Sequence, residues 1–258
     1  MHSEPGEPTT MKIRAASGTV EPSEVDRFAR EAGSWWDPEG SFWMLHRINP
    51  IRLGFIRQHL LAHFHRDPVS LRPFNGLSML DIGCGGGLVA EPMARLGFTV
   101  TGIDAGSEAI ETARMHAEAT GLAIDYRVAA PESIAQTGRR FDAVLALEVI
   151  EHVADLAVFL AAVRALVRSG GVFIGATLNR TPRSFALAIL GAEYILRWLR
   201  PGTHDWRNFL RPSEFVLGLR RNGFVATELA GLAYDPWQGG WSLSSDLQVN
   251  YMVAAFRR

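Results

Sequence analysis

A run of glycines followed by an aspartate is the first group of residues in this chain whose spacing suits a chemical role. Four glycines, Gly83, Gly85, Gly86 and Gly87, follow an apolar stretch, and Asp104 lies 21 residues after the first of them. At a strand-to-helix turn the backbone N–H groups are unpaired, and glycines let a polar ligand approach them closely. A carboxylate at the end of the next strand can accept hydrogen bonds from ribose hydroxyls. The spacing therefore predicts a cofactor site rather than a purely structural turn.

Asp81 distinguishes between the two cofactors, NAD and S-adenosylmethionine, that bind to glycine loops of this geometry. NAD places a pyrophosphate on the loop, usually with the pattern G-x-G-x-x-G, whereas this loop reads GCGGG and has Asp81 two positions before its first glycine. A carboxylate there would repel a pyrophosphate but could recognise an amino-acid ammonium. S-adenosylmethionine has an ammonium and a ribose diol but no phosphate, so the sequence favours it. The expected contacts are Asp81, Gly83, Gly85, and Asp104 with Ala105 of the GIDA motif.

A second polar group follows the predicted strand that ends at Leu147. Glu148, Glu151 and His152 are spaced i, i+3 and i+4, which would place them on one face if a helical turn begins there. A strand ending beside the first one also places Leu147 and Glu148 at the topological switch point, where open α/β sheets bind their ligands. The simpler alternative is that Glu148 orients the cofactor while Glu151 and His152 cap the next helix.

The elements that must position these residues alternate along the chain. Strands are predicted over 78–82, 99–104, 124–129, 141–147 and 172–178, and helices over 88–96, 107–120 and 155–167. A helix over 212–222 and strands near 223–232 and 248–257 follow, while a helix capped by Ser23 and another after Pro50 precede them. This alternation predicts a Rossmann-like α/β fold: a mostly parallel seven-stranded sheet, helices on both faces, N-terminal helices and an insertion after the fifth strand.

Composition narrows the function classes. The chain has 258 residues, of which 47% are apolar, so it can bury a sizeable core. Its net charge of -1 gives no positive electrostatic potential to attract nucleic acid. The single cysteine, Cys84, excludes an intrachain disulfide, and the absence of a signal peptide or a membrane-length apolar run predicts a cytoplasmic protein. We expect a disordered tail over 1–20 and one domain over 21–258 with an insertion over 179–211.

Several longer stretches resemble the O-methyltransferase family of ubiquinone biosynthesis, within the class I S-adenosylmethionine-dependent methyltransferases. They read WWDPEGSFWMLHRINPIRLGFI, LDIGCGGGLVAEPMARLGFTVTGIDAG, LEVIEHV, GAEYILRWLRPGTHDW and VNYMVAAF. The glycine and aspartate motifs are common to the whole class, whereas the WWDP, LHRINP and THDW blocks are far more specific. The resemblance runs from about Phe28 to the C-terminus. It implies methylation of polyprenyl phenol or catechol substrates at two steps, and association with other enzymes of that pathway.

The resemblance also implies roles for individual residues. Arg52, Gly83, Asp104 and Leu147 match the family's cofactor contacts, although Leu147 stands where relatives can carry methionine. Glu148, Glu151 and His152 match the position where a divalent cation such as Mg²⁺ would bind, and a chelated catechol hydroxyl would have a lowered pKa. Magnesium prefers oxygen ligands, so His152, with Glu151, can instead serve as the catalytic acid–base group. Trp35 and Trp36 are interpreted as packing residues, with no role assigned in the site.

Two other functions stay open at this stage, and so does the role of one segment. The chain could be another class I methyltransferase acting on a small molecule, or a non-catalytic subunit that binds the cofactor or a lipid. Residues 184–200 are strongly apolar, with Glu193, Arg197 and Arg200 forming a polar stripe, as in a helix that lies in a membrane interface. We expect this segment to contact the anionic inner face of the membrane peripherally; an active-site lid or an ordinary core helix is the alternative.

Overall fold

The computed structural model describes Thr19 and residues 32–187, 206–235, 237 and 239–258. Its strands are β1 (Ser78–Ile82), β2 (Thr99–Asp104), β3 (Asp125–Val128), β4 (Phe141–Leu147), β5 (Val167–Leu178), β6 (Phe224–Asp235), β7 (Gly240–Ser244) and β8 (Asn250–Arg257). They form one sheet in the order β3-β2-β1-β4-β5-β8-β6-β7. The first five strands pair in parallel, so their carboxyl ends share one edge of the sheet.

The last three strands pair antiparallel. β8 lies between β5 and β6, and β7 folds back on the outer edge of β6. The predicted mostly parallel α/β sheet is confirmed, but the number of strands is eight rather than seven because β7 was not predicted. This strand is only five residues long and begins with a glycine, a residue depleted in strands, so its pattern is weak.

Seven α-helices lie in the part of the chain that the structure describes. They are α1 (Trp43–His63), α2 (Ala90–Arg95), α3 (Ser107–Ala119), α4 (Pro131–Gln136), α5 (Leu156–Leu166), α6 (Pro182–Ser184) and α7 (Pro212–Arg221). Short 3₁₀ helices occupy Ala32–Ser34, Ile150–His152 and Trp206–Asn208. The prediction missed α4, a six-residue helix that begins directly at a proline.

Apolar side chains alternate between the two faces of the sheet, and helices cover both. On β1, Met79 packs with α1, α2 and α3, while the next residue, Leu80, packs with α4, α5 and α7. Both side chains are fully buried. A strand buried on both faces is typical of a parallel sheet with helices on each side, and it explains why β1 reads as a continuous apolar run interrupted only by Asp81.

Helix α1 begins earlier than predicted. The expectation that it starts after Pro50 is wrong, because the helix begins at Trp43 and continues through this proline. Proline removes one backbone hydrogen bond from a helix interior, so its first turns need other support. The His46 imidazole supplies part of that support through a 2.8 Å hydrogen bond to the Trp35 carbonyl, and the Asn49 amide donates to the Leu88 carbonyl at 2.8 Å.

Two predictions concern the N-terminal region. The helix capped by Ser23 lies outside them. Thr19, inside the stretch predicted to be disordered, is buried, and its hydroxyl donates to the Glu132 carboxylate at 2.6 Å. Its carbonyl accepts from Ala154 N–H at 3.0 Å, so the prediction of disorder is wrong for this residue.

The insertion after β5 is described only over 179–187 and 206–211. Thr181 caps α6 through a reciprocal capping box with Ser184, and the Arg183 guanidinium pairs with Asp246 at 2.6 Å. The predicted interfacial segment 184–200 lies outside the described residues from position 188 onward. Among the helices that are described, none combines the length and the apolar character needed to cross a membrane.

Candidate functional site

The glycine loop joins β1 to α2 at the carboxyl edge of the sheet. Gly83 N–H and Cys84 N–H both donate to the Ile103 carbonyl, at 2.8 and 3.0 Å, which ties the loop to β2. Gly83, Gly85 and Gly87 have φ values of 70°, 51° and 94°, in the left-handed region that favours glycine. The loop therefore forms the tight turn that the sequence predicted.

Asp104 ends β2 beside this loop. One oxygen of its carboxylate accepts from Gly85 N–H at 2.9 Å, and the other accepts from Gly106 N–H at 2.8 Å. Burial raises the pKa of Asp104, while hydrogen bonds from the backbone N–H groups of Gly106, Gly85 and Ala105 lower it in part. The carboxylate thus holds the loop in place and lies where sequence reasoning expected it, next to Gly85 and Ala105.

Asp81 lies in the middle of β1 with 3% of its surface exposed. Its Oδ2 atom has no hydrogen-bond partner among the described residues. Burial, followed by the charge of nearby Asp104, raises the pKa of Asp81 from 3.8 to about 7. A buried carboxyl with an unpaired oxygen is costly unless a ligand supplies a donor, which fits the ammonium of an amino-acid group.

Leu147 and Glu148 reach the same edge from β4. Leu147 pairs with Ala176 in the parallel ladder, and the Glu148 N–H donates to the Ala176 carbonyl at 3.0 Å. Glu148 has a φ of 55°, which is uncommon for a residue other than glycine and marks local backbone strain. Its carboxylate forms an ion pair with the guanidinium of Arg52, a buried residue of α1. The structure therefore brings α1 to the switch point of the sheet.

The structure does not gather Glu148, Glu151 and His152 into a metal site. Across the described residues, no group of three or more His, Cys, Asp and Glu side chains is placed to hold a metal ion. Residues 150–152 form a 3₁₀ turn rather than the α-helical turn that the spacing assumed, while Glu148 turns to Arg52. Glu151 is 3% exposed and accepts from the Thr177 hydroxyl at 2.8 Å. Mg²⁺ at Glu148, Glu151 and His152 therefore stays a prediction, and the described geometry adds no support to it.

His152 ends the 3₁₀ turn. It is half-buried, and its backbone N–H donates to the Val149 carbonyl at 3.0 Å. Val149 also packs against the glycine loop, since a Cβ added at Gly83 would lie 2.8 Å from a Val149 methyl carbon. His152 therefore lies three residues beyond a residue that touches the loop.

Sequence reasoning missed the contribution of Trp35 to the site. Its indole lies against the glycine loop: a Cβ at Gly85 would be 2.4 Å from the ring, and one at Gly86 would be 2.5 Å from Trp35 carbon atoms. Trp35 also stacks on Phe42, with ring centroids 3.8 Å apart and planes inclined by 6°. The only signal in the sequence was that a Trp pair precedes α1, and nothing in that pattern says which surface the rings cover.

Trp36 is joined to the same loop by a hydrogen bond. Its indole N–H donates to the Gly86 carbonyl at 2.9 Å, and its ring stacks on the His116 imidazole with centroids 3.5 Å apart. His116 in turn bonds to the buried Glu91 carboxylate at 2.7 Å. Trp36 thus connects the loop to α2 and α3 through a chain of side-chain contacts.

Comparison with known proteins shows near full-length relatives. Residues 55–229 match the methyltransferase domain family. The ubiquinone biosynthesis O-methyltransferase of Paramagnetospirillum magneticum is 52% identical over 243 residues, which cover 94% of this chain and 97% of that protein. The protein of the same name from Azorhizobium caulinodans is 50% identical over 238 residues, which cover 92% of this chain and 94% of that one.

Solved structures share the fold at low identity. Magnesium protoporphyrin IX methyltransferase from Synechocystis, with bound S-adenosylmethionine, aligns with a TM-score of 0.59 and 15% identity over 94% of this chain and all of that chain (100%). An S-adenosylmethionine-dependent methyltransferase from Clostridium acetobutylicum aligns with a TM-score of 0.59 and 12% identity over 90% of this chain and 98% of that one. At such identities the likeness concerns the fold alone.

Proposed function

Because this chain belongs to the ubiquinone biosynthesis O-methyltransferase family, we propose that it transfers a methyl group from S-adenosylmethionine to a phenolic hydroxyl of polyprenyl catechol-type intermediates, at both O-methylation steps. The observation that carries the proposal is the 52% identity over 94% of the chain. The site agrees with it, because a cofactor-type glycine loop lies beside the buried carboxyl group of Asp81 and the half-buried one of Asp104 at the carboxyl edge of the sheet.

The residues around the loop fit the polar groups of the cofactor. Asp104 and Ala105 are proposed to bind the ribose hydroxyls, and Gly83 and Gly85 to let the cofactor lie against the backbone. Asp81 is proposed to accept from the methionyl ammonium, since its Oδ2 is buried and has no partner among the described residues. S-adenosylmethionine supplies the electrophilic methyl group on its sulfonium.

Three further residues complete the proposed cofactor site. Arg52 is proposed to bind the methionyl carboxylate, and Leu147 to contact the cofactor by van der Waals packing or through its backbone. Glu148, in its strained conformation, is proposed to orient the methionyl group through its pairing with Arg52. This arrangement supports methyl transfer mainly by fixing the orientation of the reacting atoms.

His152 is proposed as the general base. In the reaction the phenolic oxygen forms a bond to the methyl carbon as the sulfur–carbon bond breaks, and the hydroxyl proton passes to the imidazole ring. Glu151 is proposed to assist by holding the turn that carries His152, because its buried carboxylate bonds to Thr177 on β5. No step is assigned to a metal ion.

Product analysis tests the proposed reaction. Incubation with labelled S-adenosylmethionine and prenylated catechols should give a product with one added methyl group on oxygen, identified by mass spectrometry and NMR. Methylation on carbon, or of an unrelated small molecule only, would favour another class I methyltransferase. Cofactor binding without turnover of any catechol would favour a non-catalytic binding subunit.

An alanine substitution tests the cofactor site directly. Asp104→Ala should weaken S-adenosylmethionine binding by about 1–3 kcal/mol, because it removes an acceptor for ribose and leaves Gly85 N–H unpaired. Isothermal titration calorimetry measures the change. Glu111→Ala, at an exposed position of α3, is the matched control and should bind as the wild type does. Equal affinity of the two variants would contradict the proposed ribose contact.

The proposed substrate carries a polyprenyl tail, so we also propose peripheral contact with an anionic membrane through residues 184–200. At the described start of this segment, Phe185 and Leu187 are 42% and 50% exposed. Basic residues Arg197 and Arg200 of the same segment suit anionic head groups. The protein would then act at the inner face of the membrane, beside other enzymes of the pathway.

Vesicle sedimentation tests the membrane proposal. Wild-type protein should sediment with anionic liposomes at low salt, and charge reversal at Arg197 and Arg200 should reduce that fraction while cofactor affinity stays unchanged. Neutral liposomes provide the control for nonspecific pelleting. Wild-type protein that stays in the supernatant with anionic vesicles at low salt would show that the segment has another role, such as a lid.

A further inference from the structure

The indole N–H of Trp35 is a buried donor without an acceptor. Its Nε1 atom has no hydrogen-bond partner among the described residues, and only 9% of the residue is exposed. An indole nitrogen can donate a hydrogen bond but cannot accept one. Buried donors in native proteins are nearly always paired, so an unpaired one beside the glycine loop indicates that a ligand supplies the acceptor.

Trp35 is held firmly in this position. Its carbonyl accepts from His46 on α1 at 2.8 Å, and its ring stacks on Phe42. The ring also lies against Gly85 and Gly86, which have no Cβ to push it away. The indole N–H is therefore fixed beside the loop by contacts on both sides.

A second unpaired donor comes from α1, the helix whose His46 holds the Trp35 carbonyl. Arg52 Nε is buried and has no acceptor among the described residues, although another nitrogen of the guanidinium pairs with Glu148. His46 and Arg52 both belong to α1, so one helix holds both Trp35 and the guanidinium. Two buried groups that can only donate call for a ligand with acceptor atoms, and a carboxylate is one such group.

We propose that Trp35 Nε1 donates a hydrogen bond to the carboxylate of bound S-adenosylmethionine, alongside Arg52. The carboxylate is the one anionic group of this cofactor, whose other charged groups are an ammonium and a sulfonium. Asp81 provides an acidic group for the ammonium, which leaves the donors for the carboxylate. This inference rests on the proposed function only in placing the cofactor at the glycine loop.

Trp36 provides an internal comparison. Its N–H already has a partner within the protein, the Gly86 carbonyl at 2.9 Å. Trp36 is therefore a positioning residue that acts on the loop, whereas Trp35 is inferred to touch the cofactor. The two neighbouring tryptophans should respond differently when each N–H is removed.

Calorimetric titration of two ligands separates these roles. Trp35→Phe keeps an aromatic ring but removes the N–H, so its affinity for S-adenosylmethionine should fall by roughly tenfold or more, as expected for a hydrogen bond to a charged group. Its affinity for decarboxylated S-adenosylmethionine should stay within about twofold of the wild type, because that ligand has no carboxylate to accept the bond. Trp36→Phe should weaken the binding of both ligands by the same factor.

Thermal unfolding without ligand distinguishes binding from a merely structural role. Trp35→Phe should keep a cooperative unfolding transition, at a temperature lowered by the packing that the smaller ring loses against Gly85 and Gly86. Equal loss of affinity for both ligands in Trp35→Phe, or no loss for either, would overturn the inference. If the wild-type protein itself did not bind S-adenosylmethionine, the proposed function would fail instead.

Discussion

Asp81 has a buried carboxyl group and Asp104 a half-buried one, and their surroundings differ. Backbone N–H groups donate to both oxygens of Asp104, whereas Asp81 Oδ2 has no donor among the described residues. The groups that act on Asp81 electrostatically or share its surroundings are Asp104 on β2, Cys84 in the loop and Tyr126 on β3. None of them supplies a positive charge, so the ionised form of Asp81 is disfavoured until a cationic ligand arrives.

The raised pKa of Asp81 predicts a pH-dependent stability. The native state holds a proton on Asp81 up to about pH 7, whereas the unfolded chain releases it near 3.8. Because the native state binds more protons in this window, the free energy of unfolding should fall as the pH rises from about 4 to about 7, by at most about 4 kcal/mol from this group. Urea unfolding at a series of pH values measures it.

Asp81→Asn is the matched variant, because it cannot ionise. As the pH rises through this window, the wild type should lose stability relative to the variant, because only the wild type has a carboxyl group that ionises at this position. Binding of S-adenosylmethionine near pH 6.5 should release protons from the wild type only, seen as a binding enthalpy that depends on the buffer's ionisation enthalpy. Equal proton release by both proteins would contradict the assignment.

Glu151 has a structural bond that predicts the cost of its removal. Glu151→Ala leaves the fully buried Thr177 hydroxyl without its acceptor, so it should lower the free energy of unfolding by about 1–3 kcal/mol. In a Thr177→Val background the same substitution should cost less, because the hydroxyl is already gone. Chemical unfolding of the four proteins measures the coupling, and strictly additive effects would argue against the bond.

The sequence alone located those residues whose positions follow from the order of strands and turns along the chain. Asp81, Gly83 and Asp104 were predicted because a strand, a turn and the next strand fix their positions. Trp35 was not, because its contact with Gly85 joins residues 50 positions apart and depends on how α1 packs on the sheet. The spacing of Glu148, Glu151 and His152 was interpreted with α-helical geometry, which the 3₁₀ turn at residues 150–152 does not have.

The glycine loop and α1 are the two elements whose contact builds the site. Gly86 lies where any side chain would meet Trp35, and its backbone φ is not in the left-handed region. A substitution at Gly86 therefore tests how Trp35 packs on the glycine loop rather than the conformational freedom of the loop. Gly54, within α1, offers the opposite situation, because a Cβ there meets no atom of the described residues within 4 Å.

Alanine at these two positions should have opposite effects. Gly86→Ala should lower the free energy of unfolding by about 1–3 kcal/mol, because the added methyl group forces Trp35 or the loop to move. Gly54→Ala should raise it by up to about 1 kcal/mol, since alanine favours a helix interior over glycine. Denaturant titration measures both changes. A Gly86→Ala variant as stable as the wild type would show that Trp35 does not lie on the loop.

Element boundaries followed the apolar pattern closely where strands are buried on both faces. The predicted bounds of β1, β2 and β4 agree with the structure to the residue. Two features escaped because their cause is tertiary. α1 starts before Pro50 because His46 and Asn49 bond to other parts of the chain, and β7 exists because β6 offers it an edge to pair with.

The molecule as a whole depends on where its last strand inserts. β8 pairs with β5 on one side and β6 on the other, and its residues Tyr251 to Ala255 are at most 1% exposed. Without β8, the β6–β7 pair has no ladder connection to the parallel half of the sheet. The parallel half holds the proposed cofactor site, and we expect its stability to require the antiparallel half.

Removal of β8 should therefore abolish folding. A chain that ends at Gln248 should show no cooperative thermal unfolding transition and no cofactor binding, whereas one that lacks only exposed Arg258 should resemble the wild type. Circular dichroism during heating measures the transition. A cooperative transition in the shorter chain would mean that the parallel half folds by itself.

A ribosome delivers β8 after every other strand, although it lies sixth in the sheet. While the 79 residues from 179 to 257 are made, β5 keeps one edge of unpaired N–H and C=O groups, a template on which another chain can pair. At synthesis rates of about 5–20 residues per second this interval lasts roughly 4–16 seconds. Chains that neighbouring ribosomes synthesise on one messenger RNA expose this edge of β5 at the same time. We therefore expect chaperones that keep nascent chains apart during those seconds to raise the soluble yield of this protein.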